Sequence, residues 1–341
     1  MLDTKKAHEL DIVELTEDLP EYGLQRGARG TVVEVFDEPE EAYMLEFVDE
    51  SGTSSTFADW VKASQITNID AIAEEAFERG ITFFNNGEIG EAEKSFKLSI
   101  ELNPRYKTKV RNVVQDSFGN KGDWEEAIRP LRLLLRIDPA DMDSRDSLAI
   151  AWLNCGVQNA REGNISQALV CFRRAAALDP SPDVLSILKD NIAIAYRQLG
   201  IQAYERGALK DTQYYMSQAF MLSPNKSTRR NLGIANAYLA HAYLKKRKYR
   251  AALVFFEAAE DAGLMSPELL NNYGVALAYE DRLDEANAAF EKAQKLKTGA
   301  DIILGNLAKL RNMVSAADFI TEELKTEFVP LPAPREYSRA A

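Results

Sequence analysis

Apolar and polar residues alternate with period two near the start of the chain. Runs of this kind read IVEL, GTVVEVF and AYMLEFV, a weaker run follows them, and residues typical of turns lie between. Such alternation is typical of strands that bury one face. We therefore predict four short antiparallel strands, at 12–15, 30–36, 42–48 and 55–62.

After Asn68 the apolar residues follow helical spacing, and a six-residue frame recurs. The frame reads GEIGEA, GDWEEA, GNISQA, GALKDT, RKYRAA and DRLDEA, and its last residues are 35, 41, 44, 40 and 34 residues apart. A large apolar side chain follows each frame by four residues: Phe96, Leu131, Phe172, Met216, Phe256 and Phe290. A recurrence of this length indicates a repeated helix-turn-helix unit.

Small residues precede five of the frames at a fixed distance, where two helices must approach closely. They are Gly80, Gly156, Gly200, Ala240 and Gly274. Prolines end four of the second helices, at Pro104, Pro139, Pro180 and Pro224. Because three of the spacings reach 40 to 44 residues, the middle helices, or the loops that follow Pro139, Pro180 and Pro224, are expected to be longer.

This pattern resembles the tetratricopeptide repeat, and the resemblance implies a mainly α chain folded as an α-α superhelix, or solenoid. We expect six units within residues 70–298, at about 70–105, 106–140, 146–181, 184–226, 229–265 and 267–298. One or more capping helices are expected in 299–329, including a second helix from Ala316 to Phe328. Residues 330–341 are rich in proline and are expected to form a flexible tail.

Residues 9–66 carry a second resemblance. The phrase DLPEYGLQRGARGTVVEVF, followed by EAYMLEF, resembles a family of small, functionally uncharacterised bacterial domains. The resemblance implies a small all-β SH3-like barrel, expected over residues 1–67, and a role in binding or neutralising a partner protein. It transfers no catalytic residue.

The excess negative charge of the chain lies in its first part. The net charge is −12, and residues 1–70 contain 17 Asp and Glu but 5 Lys and Arg, so the remaining 36 acidic and 36 basic residues balance. Acidic side chains surround one turn of the predicted barrel, at Glu34, Asp37, Glu38, Glu40 and Glu41. Such a surface repels nucleic acid and favours a basic protein as partner.

The first helices of a superhelix line a groove, which is the expected site for a partner protein or peptide. Residues one turn either side of the small crossing residue are the candidates for its lining: Asn112, Asp116, Asn154, Arg161, Arg197, Gln198, Tyr238, His241, Asn271 and Asn272. Groups of this type hydrogen-bond an extended peptide, although solvated helix residues remain an equal alternative. The lysines that would complete a clamp for chaperone carboxyl termini are missing in register.

The most basic run is formed by Lys245, Lys246, Arg247, Lys248 and Arg250, at a turn between two helices. Charged residues at turns are ordinarily solvated. The alternative is that this basic patch meets an acidic surface, such as the N-terminal domain of the same molecule.

The sequence contains no motif of an enzyme, a metal site or a membrane-spanning segment. The sequence has no phosphate loop, nucleophile elbow or zinc-protease motif, and its two histidines and two cysteines do not form a ligand set, so no catalysis, metal or cofactor is expected. No apolar run is long enough to span a bilayer, and the first residues do not read as a secretory signal. A cytoplasmic protein is therefore expected.

Two functions fit these features. The first is a non-enzymatic adaptor or scaffold that holds a partner in the groove and uses the acidic domain as a second contact. The second is an inhibitor of the immunity or antitoxin type, whose acidic domain covers a basic toxin or nuclease. The sequence leaves the identity of the partner and the oligomeric state open.

Overall fold

A computed structural model describes residues 6–48, 55–117, 124–312 and 319–337. The chain divides into two compact units, Met1–Leu148 and Ala149–Ala341. The first unit holds a β-sheet and the first helices, and the second unit holds the remaining helices and the C-terminal residues.

The N-terminal part of the first unit is a five-stranded antiparallel sheet. Its strands are β1 (Ile12–Leu15), β2 (Arg29–Phe36), β3 (Ala42–Val48), β4 (Ser55–Lys62) and β5 (Ile66–Asn68), in the order β4-β3-β2-β1-β5. Alternate apolar side chains bury a small core, which includes Val13, Val32, Leu45, Ala58 and Val61. The period-two pattern therefore identifies the first four strands correctly.

The fifth strand is a correction to the four-strand prediction. Leu15 pairs with Ile66 and Val13 pairs with Asn68, so β5 lies beside β1. With three residues, β5 is too short to show alternation, and its last residue caps the next helix. The Asn68 side chain accepts a hydrogen bond from the Ala71 amide, which is the usual role of Asn before a helix.

Thirteen α-helices follow the sheet in the described residues. They are α1 (Ile69–Asn85), α2 (Ile89–Leu102), α3 (Tyr106–Asp116), α4 (Trp124–Ile137), α5 (Met142–Arg161), α6 (Ile165–Ala176), α7 (Pro182–Glu205), α8 (Leu209–Leu222), α9 (Lys226–Lys245), α10 (Tyr249–Asp261), α11 (Pro267–Tyr279), α12 (Leu283–Leu296) and α13 (Asp301–Arg311). The predicted fold class, a tetratricopeptide-like array with a small all-β domain, is confirmed.

The recurring frame marks the turn inside each helix pair. Its first residue has a positive φ at Gly87, Gly163 and Gly207, and also at Arg247 and Asp281, with values from 57° to 85°. A left-handed residue ends a helix and reverses the chain, which is easiest for glycine. The corresponding Gly122 of the second frame lies outside the described residues.

Close approach of the paired helices explains the small residue before each frame. A Cβ atom added to Gly156 would lie 2.5 Å from the Phe172 ring, and one added to Gly80 would lie 2.5 Å from Phe96. Phe96 and Phe172 are fully buried. At Gly80, Gly156, Gly200 and Gly274, the small residue and the large side chain that follows the frame therefore form one packing unit across the turn.

Longer first helices account for the wide spacing of the middle frames. Helices α5, α7 and α9 have 20, 24 and 20 residues, whereas α11 has 13. The sequence offered two explanations, longer helices or longer loops. The extra residues lengthen helices, by about two turns in α5 and α9 and about three turns in α7.

The C-terminal residues depart from the prediction. Residues 319–337 form neither a second capping helix nor a free tail, but an extended segment that contacts helices of the second unit. Three prolines, Pro330, Pro332 and Pro334, disfavour helix in its second half. In its first half, hydrogen bonds to other helices replace those of a local helix, so tertiary contacts override local propensity. Residues 338–341 lie outside the described residues.

Replacing Gly156 with Ala tests the packing unit. The added methyl group would overlap the Phe172 ring, and we expect the free energy of unfolding to fall by about 1–3 kcal/mol. Gly305→Ala in α13 is the matched control, because nothing lies within 4 Å of the added atom and Ala favours a helix over Gly. Chemical denaturation of both variants measures the difference. Equal stability of Gly156→Ala and the wild type would contradict the packing unit.

Candidate functional site

Residues 319–337, here called the tail segment, lie along the first helices of the second unit. The segment runs opposite to the order of the repeats: Ile320 contacts α13, Glu322 contacts α11, Val329 contacts α9, and Arg335 and Tyr337 contact α7 and α5. We call the surface that it occupies the groove, defined by its contact residues Asn154, Arg161, Asn191, Arg197, Asn231, Tyr238, His241, Lys245, Asn271, Asn272 and Asn306.

Asparagine side chains hold the backbone of the tail segment. In five places, the Asn Oδ1 accepts the N–H of a tail residue while the Asn Nδ2 donates to the carbonyl oxygen of the same residue. The pairs, with these two distances, are Ile320 with Asn306 (2.9 and 2.8 Å), Glu322 with Asn272 (2.8 and 2.7 Å), Val329 with Asn231 (2.7 and 3.5 Å), Arg335 with Asn191 (2.9 and 2.8 Å), and Tyr337 with Asn154 (3.1 and 3.3 Å). We call these five side chains the asparagine ladder.

The ladder binds a peptide without reading its side chains. A side-chain amide offers one acceptor and two donors, so it can pair with a residue as the edge of a neighbouring strand would. All five ladder side chains are at most 1% exposed. A buried amide without a partner costs about 1–3 kcal/mol, so the groove needs an extended peptide or ordered water above it.

Aromatic and aliphatic side chains fix the tail segment between the ladder positions. The Phe328 ring lies 5.3 Å from the Tyr204 ring and 6.4 Å from the Tyr238 ring, and the Phe319 ring stacks 5.9 Å from that of Phe290. The Tyr238 hydroxyl also donates to the Thr326 carbonyl oxygen at 2.7 Å. These contacts depend on the shape of the side chains of the tail segment, whereas the ladder contacts only its backbone.

Two cationic positions in the groove meet carboxylates of the tail segment. Lys245 of α9 forms an ion pair with Glu323, and Arg161 of α5 forms one with Glu336. A third ion pair has the charges reversed: Arg335 of the tail segment lies 3.3 Å from Asp190 of α7. The Lys245 and Arg161 side chains are 54% and 58% exposed, so each pair is screened by water and contributes little alone.

His241 joins the ladder to the charge of the tail segment. Its Nδ1 lies 3.1 Å from the Asn272 Nδ2, and its Nε2 lies 3.3 Å from the Glu323 carboxylate. Because the Asn272 amide donates to Nδ1, the proton of the neutral ring belongs on Nε2, which faces Glu323. Burial lowers the pKa of His241 below its usual 6.5, against the opposite influence of Glu323, while Lys245 adds to the decrease.

Arg197 differs from the other cations of the groove. Its side chain donates to the carbonyl oxygens of Val329 and Pro330 at 3.1 and 3.2 Å, and the residue is 3% exposed. Burial lowers the pKa of Arg197, and no carboxylate of the described chain forms an ion pair with it. The Nε atom is also buried without a hydrogen-bond partner among the described residues.

The structure brings seven of the ten residues predicted for the groove against the tail segment: Asn154, Arg161, Arg197, Tyr238, His241, Asn271 and Asn272. Asn271 donates to the Ile320 carbonyl oxygen at 3.0 Å. Gln198 is half-buried in α7, and Asn112 and Asp116 lie exposed on α3 in the first unit.

The prediction missed three ladder residues, Asn191, Asn231 and Asn306. Asn191 and Asn231 lie seven residues, or two turns, before Gln198 and Tyr238 on the same helix face, which exists because α7 and α9 are long. The usable signal is an asparagine inside an apolar helix, as in DNIAIAY and RNLGIANAY, where it is a poor helix former and needs a partner.

The residues of the predicted basic patch do not share one set of contacts. Lys245 contacts the tail segment, and Arg250 forms an ion pair of 2.7 Å with Glu280. Lys246, Arg247 and Lys248 form the exposed turn between α9 and α10. The proposal that this patch meets an acidic surface stays a prediction.

The predicted acidic residues lie near the end of β2 and in the connection between β2 and β3. Asp37 pairs with Lys6, Glu40 lies 2.7 Å from Lys62, and Glu41 accepts a hydrogen bond from a tyrosine hydroxyl. Glu34 and Glu38 face solvent. Internal pairing therefore reduces part of the negative field of this surface.

Other kinds of site are not found in the described ranges. No cluster of three or more His, Cys, Asp or Glu side chains there has the geometry of a metal site. None of the described helices combines the length and the apolar character that crossing a membrane requires.

Comparison with known proteins gives one family match and several similar folds. Residues 9–59 match the family described as Domain of unknown function (DUF4926). No curated protein matches the chain.

Solved structures of tetratricopeptide proteins resemble the helical part. The TPR domain of P58(IPK) is 12% identical, with a TM-score of 0.30, and the match covers 71% of this chain and 65% of that one. MamA AMB-1 is 22% identical over 48% of this chain and 81% of its own, with a TM-score of 0.28. The TPR2AB domain of yeast Sti1 in complex with pHSP90 is 15% identical over 71% and 96%, with a TM-score of 0.26. The helix pairs themselves, not these scores, establish the fold.

Replacing Asn231 with Ala tests the ladder in the full chain. The Val329 N–H loses its acceptor and the Val329 carbonyl oxygen keeps only the Arg197 guanidinium, and we expect the tail segment to exchange its amide hydrogens about tenfold faster around Val329. Hydrogen-deuterium exchange with mass spectrometry measures this change. Asn287→Ala is the control, because among the described residues the Asn287 side chain bonds only Glu291 of its own helix. Unchanged exchange in Asn231→Ala would contradict the ladder.

Acidification tests the link between His241 and Asn272. Protonation places a hydrogen on Nδ1, where it opposes the Asn272 N–H and disrupts the pair with Glu322. Because the docked tail segment adds to the burial that lowers the pKa of His241, the docked state binds fewer protons than the undocked one, so docking weakens as the pH falls through the pKa of the undocked ring. We expect the protection factor of the Glu322 amide to fall by up to about tenfold per pH unit.

The control for this pH effect is His241→Asn in the full chain, which removes the titrating ring. The protection factor, which corrects for intrinsic exchange, should then be constant between pH 7.5 and 5.5. An equal pH dependence in both proteins would assign the effect to another group, such as Glu322, whose pKa burial raises.

Proposed function

We propose that this protein is a non-enzymatic adaptor that binds an extended segment of a partner protein in the groove, and that its own tail segment holds the site in the absence of the partner. The observation that carries the proposal is the asparagine ladder, with both hydrogen bonds formed at five backbone positions. Buried amide groups need hydrogen-bond partners, and all five find them in one extended chain, so this helix face is suited to binding an extended segment.

The chemistry of the ladder favours a peptide over other ligands. Each ladder amide pairs with the N–H and C=O groups of one residue, and a peptide backbone repeats this pair along its length, which a sugar-phosphate backbone or an acyl chain does not. Binding by backbone groups tolerates many sequences, and the aromatic contacts at Phe328 and Phe319 add preference for particular side chains.

Covalent attachment gives the tail segment an advantage over a partner. A connected segment acts at an effective concentration in the millimolar range, so a free peptide of the same sequence competes poorly. The partner therefore gains access through extra contacts elsewhere or through better contacts within the groove.

The acidic sheet domain is the second contact in this proposal. Residues 1–70 carry the whole excess negative charge of the chain, and Glu34 and Glu38 face solvent. A basic surface on the same partner would meet this domain, and two linked sites would raise the overall affinity without strong contacts at either.

N-methylated peptides test backbone recognition directly. The probe is a synthetic peptide of residues 319–337, and the protein is the full chain with Glu323→Ala and Phe328→Ala, which weaken its own tail segment without touching a helix. N-methylation at Val329 or Arg335 removes a hydrogen that the ladder accepts, and we expect it to weaken binding about 5- to 30-fold by calorimetry.

The matched control is N-methylation at Glu327, whose carboxylate is exposed and whose N–H has no partner among the described contacts. This peptide should bind like the unmodified one. If methylation at Val329 and at Glu327 has the same effect, or if the unmodified peptide does not bind, the proposed function is wrong.

A further inference from the structure

We infer that the partner segment carries an acidic side chain that binds Arg197, at the point where the tail segment has Val329, Pro330 and Leu331. The inference rests on the proposed function and adds the chemical class of the ligand. It concerns a carboxylate inside an extended segment, not a chain terminus.

The state of Arg197 with the tail segment bound is unfavourable. A guanidinium group that is 3% exposed has lost nearly all of its water, and it gains two carbonyl oxygens in return. Its Nε–H has no acceptor among the described residues. Burying a cation without a counter-charge is costly, and proteins normally pair such groups.

Carbonyl binding alone does not require an arginine at this position. Elsewhere in the groove, asparagines bind the carbonyl oxygens of the tail segment without a net charge, as Asn191 and Asn272 do. Arginine adds a positive charge and a planar group suited to two carboxylate oxygens. Its presence in the middle of the groove therefore indicates an anionic ligand.

The other cationic positions of the groove support the same conclusion. Lys245, beside His241, meets Glu323, and Arg161 meets Glu336, so an acidic residue of the tail segment reaches each of them. Arg197 lies between them and donates to the carbonyl oxygens of Val329 and Pro330, which begin the stretch VPLPAP that contains no acid. The tail segment thus supplies an acidic side chain to Arg161 and to Lys245 but none to Arg197, which lies between them.

This difference makes the tail segment a replaceable occupant. A partner segment with acids at all three positions would form every backbone bond of the tail segment and one additional charged pair. That pair lies in a buried place, where charged hydrogen bonds are stronger than at the surface. It gives the partner an advantage that offsets the covalent attachment of the tail segment.

The test introduces the missing acid into the tail segment of the full chain. Val329→Glu, Pro330→Glu and Leu331→Glu are compared with Val329→Gln, Pro330→Gln and Leu331→Gln, which match the shape of Glu without its charge. Hydrogen-deuterium exchange reports docking through the backbone N–H groups of Arg335 and Tyr337, which donate to the ladder residues Asn191 and Asn154. We expect one Glu variant to be protected about 10- to 100-fold more than its Gln counterpart.

A second background shows whether Arg197 is the cause. In the full chain with Arg197→Met, which keeps an apolar side chain in α7, the gain of Glu over Gln should disappear. A gain that persists in Arg197→Met, or no Glu variant better protected than its Gln counterpart, overturns the inference.

Synthetic peptides extend the test to binding between molecules. Peptides of residues 319–337 with the best Glu substitution, or with the matching Gln, are added to the Glu323→Ala and Phe328→Ala protein, and the Glu peptide should bind about 10- to 100-fold more tightly. Equal binding of both peptides refutes the acidic ligand and leaves the adaptor function intact. Absence of binding by both refutes the adaptor function as well.

Discussion

The pairing of buried asparagine amides with an extended backbone is the constraint on which the second unit depends. An amide group at most 1% exposed must form its hydrogen bonds inside the protein, and the helix around it has none to spare. In this structure one continuous peptide above five such groups, each on a different helix, supplies these bonds. Side-chain contacts, ion pairs and the position of Arg197 all depend on the register that this pairing sets along the tail segment.

The repeat frame creates the register. A left-handed residue such as Gly163 or Gly207 closes each turn, and a small residue such as Gly156 lets the two helices approach until Phe172 fills the gap. With the helices fixed in this way, a residue two positions before the small one, such as Asn154 or Asn272, faces the tail segment. Core packing and ligand geometry thus follow from the same short pattern.

A structural feature can be predicted from the sequence when the residues that cause it lie close together along the chain. The first four strands, the turns and the Gly156 contact arise from residues within about 16 positions of each other, and their patterns predict them. Tail docking joins Asn191 to Arg335 across 144 positions, and no local pattern encodes it. Two of the ladder residues, Asn154 and Asn272, were predicted for the groove from their distance to the small residue. Asn191 and Asn231 lie two turns further along helices whose length the frame spacing indicated only indirectly.

A groove that binds backbone atoms needs another source of selectivity. The ladder treats the tail segment and any other extended peptide alike, so the aromatic contacts and the charges decide between occupants. Phe328 beside Tyr204 and Tyr238 fixes the tail segment, while Arg197 remains a buried cation that meets only the carbonyl oxygens of Val329 and Pro330 among the described residues. An occupant that satisfied every group would be difficult to displace. Because the tail segment leaves one charge unpaired, it protects the ladder from water and still allows a better-matched segment to replace it.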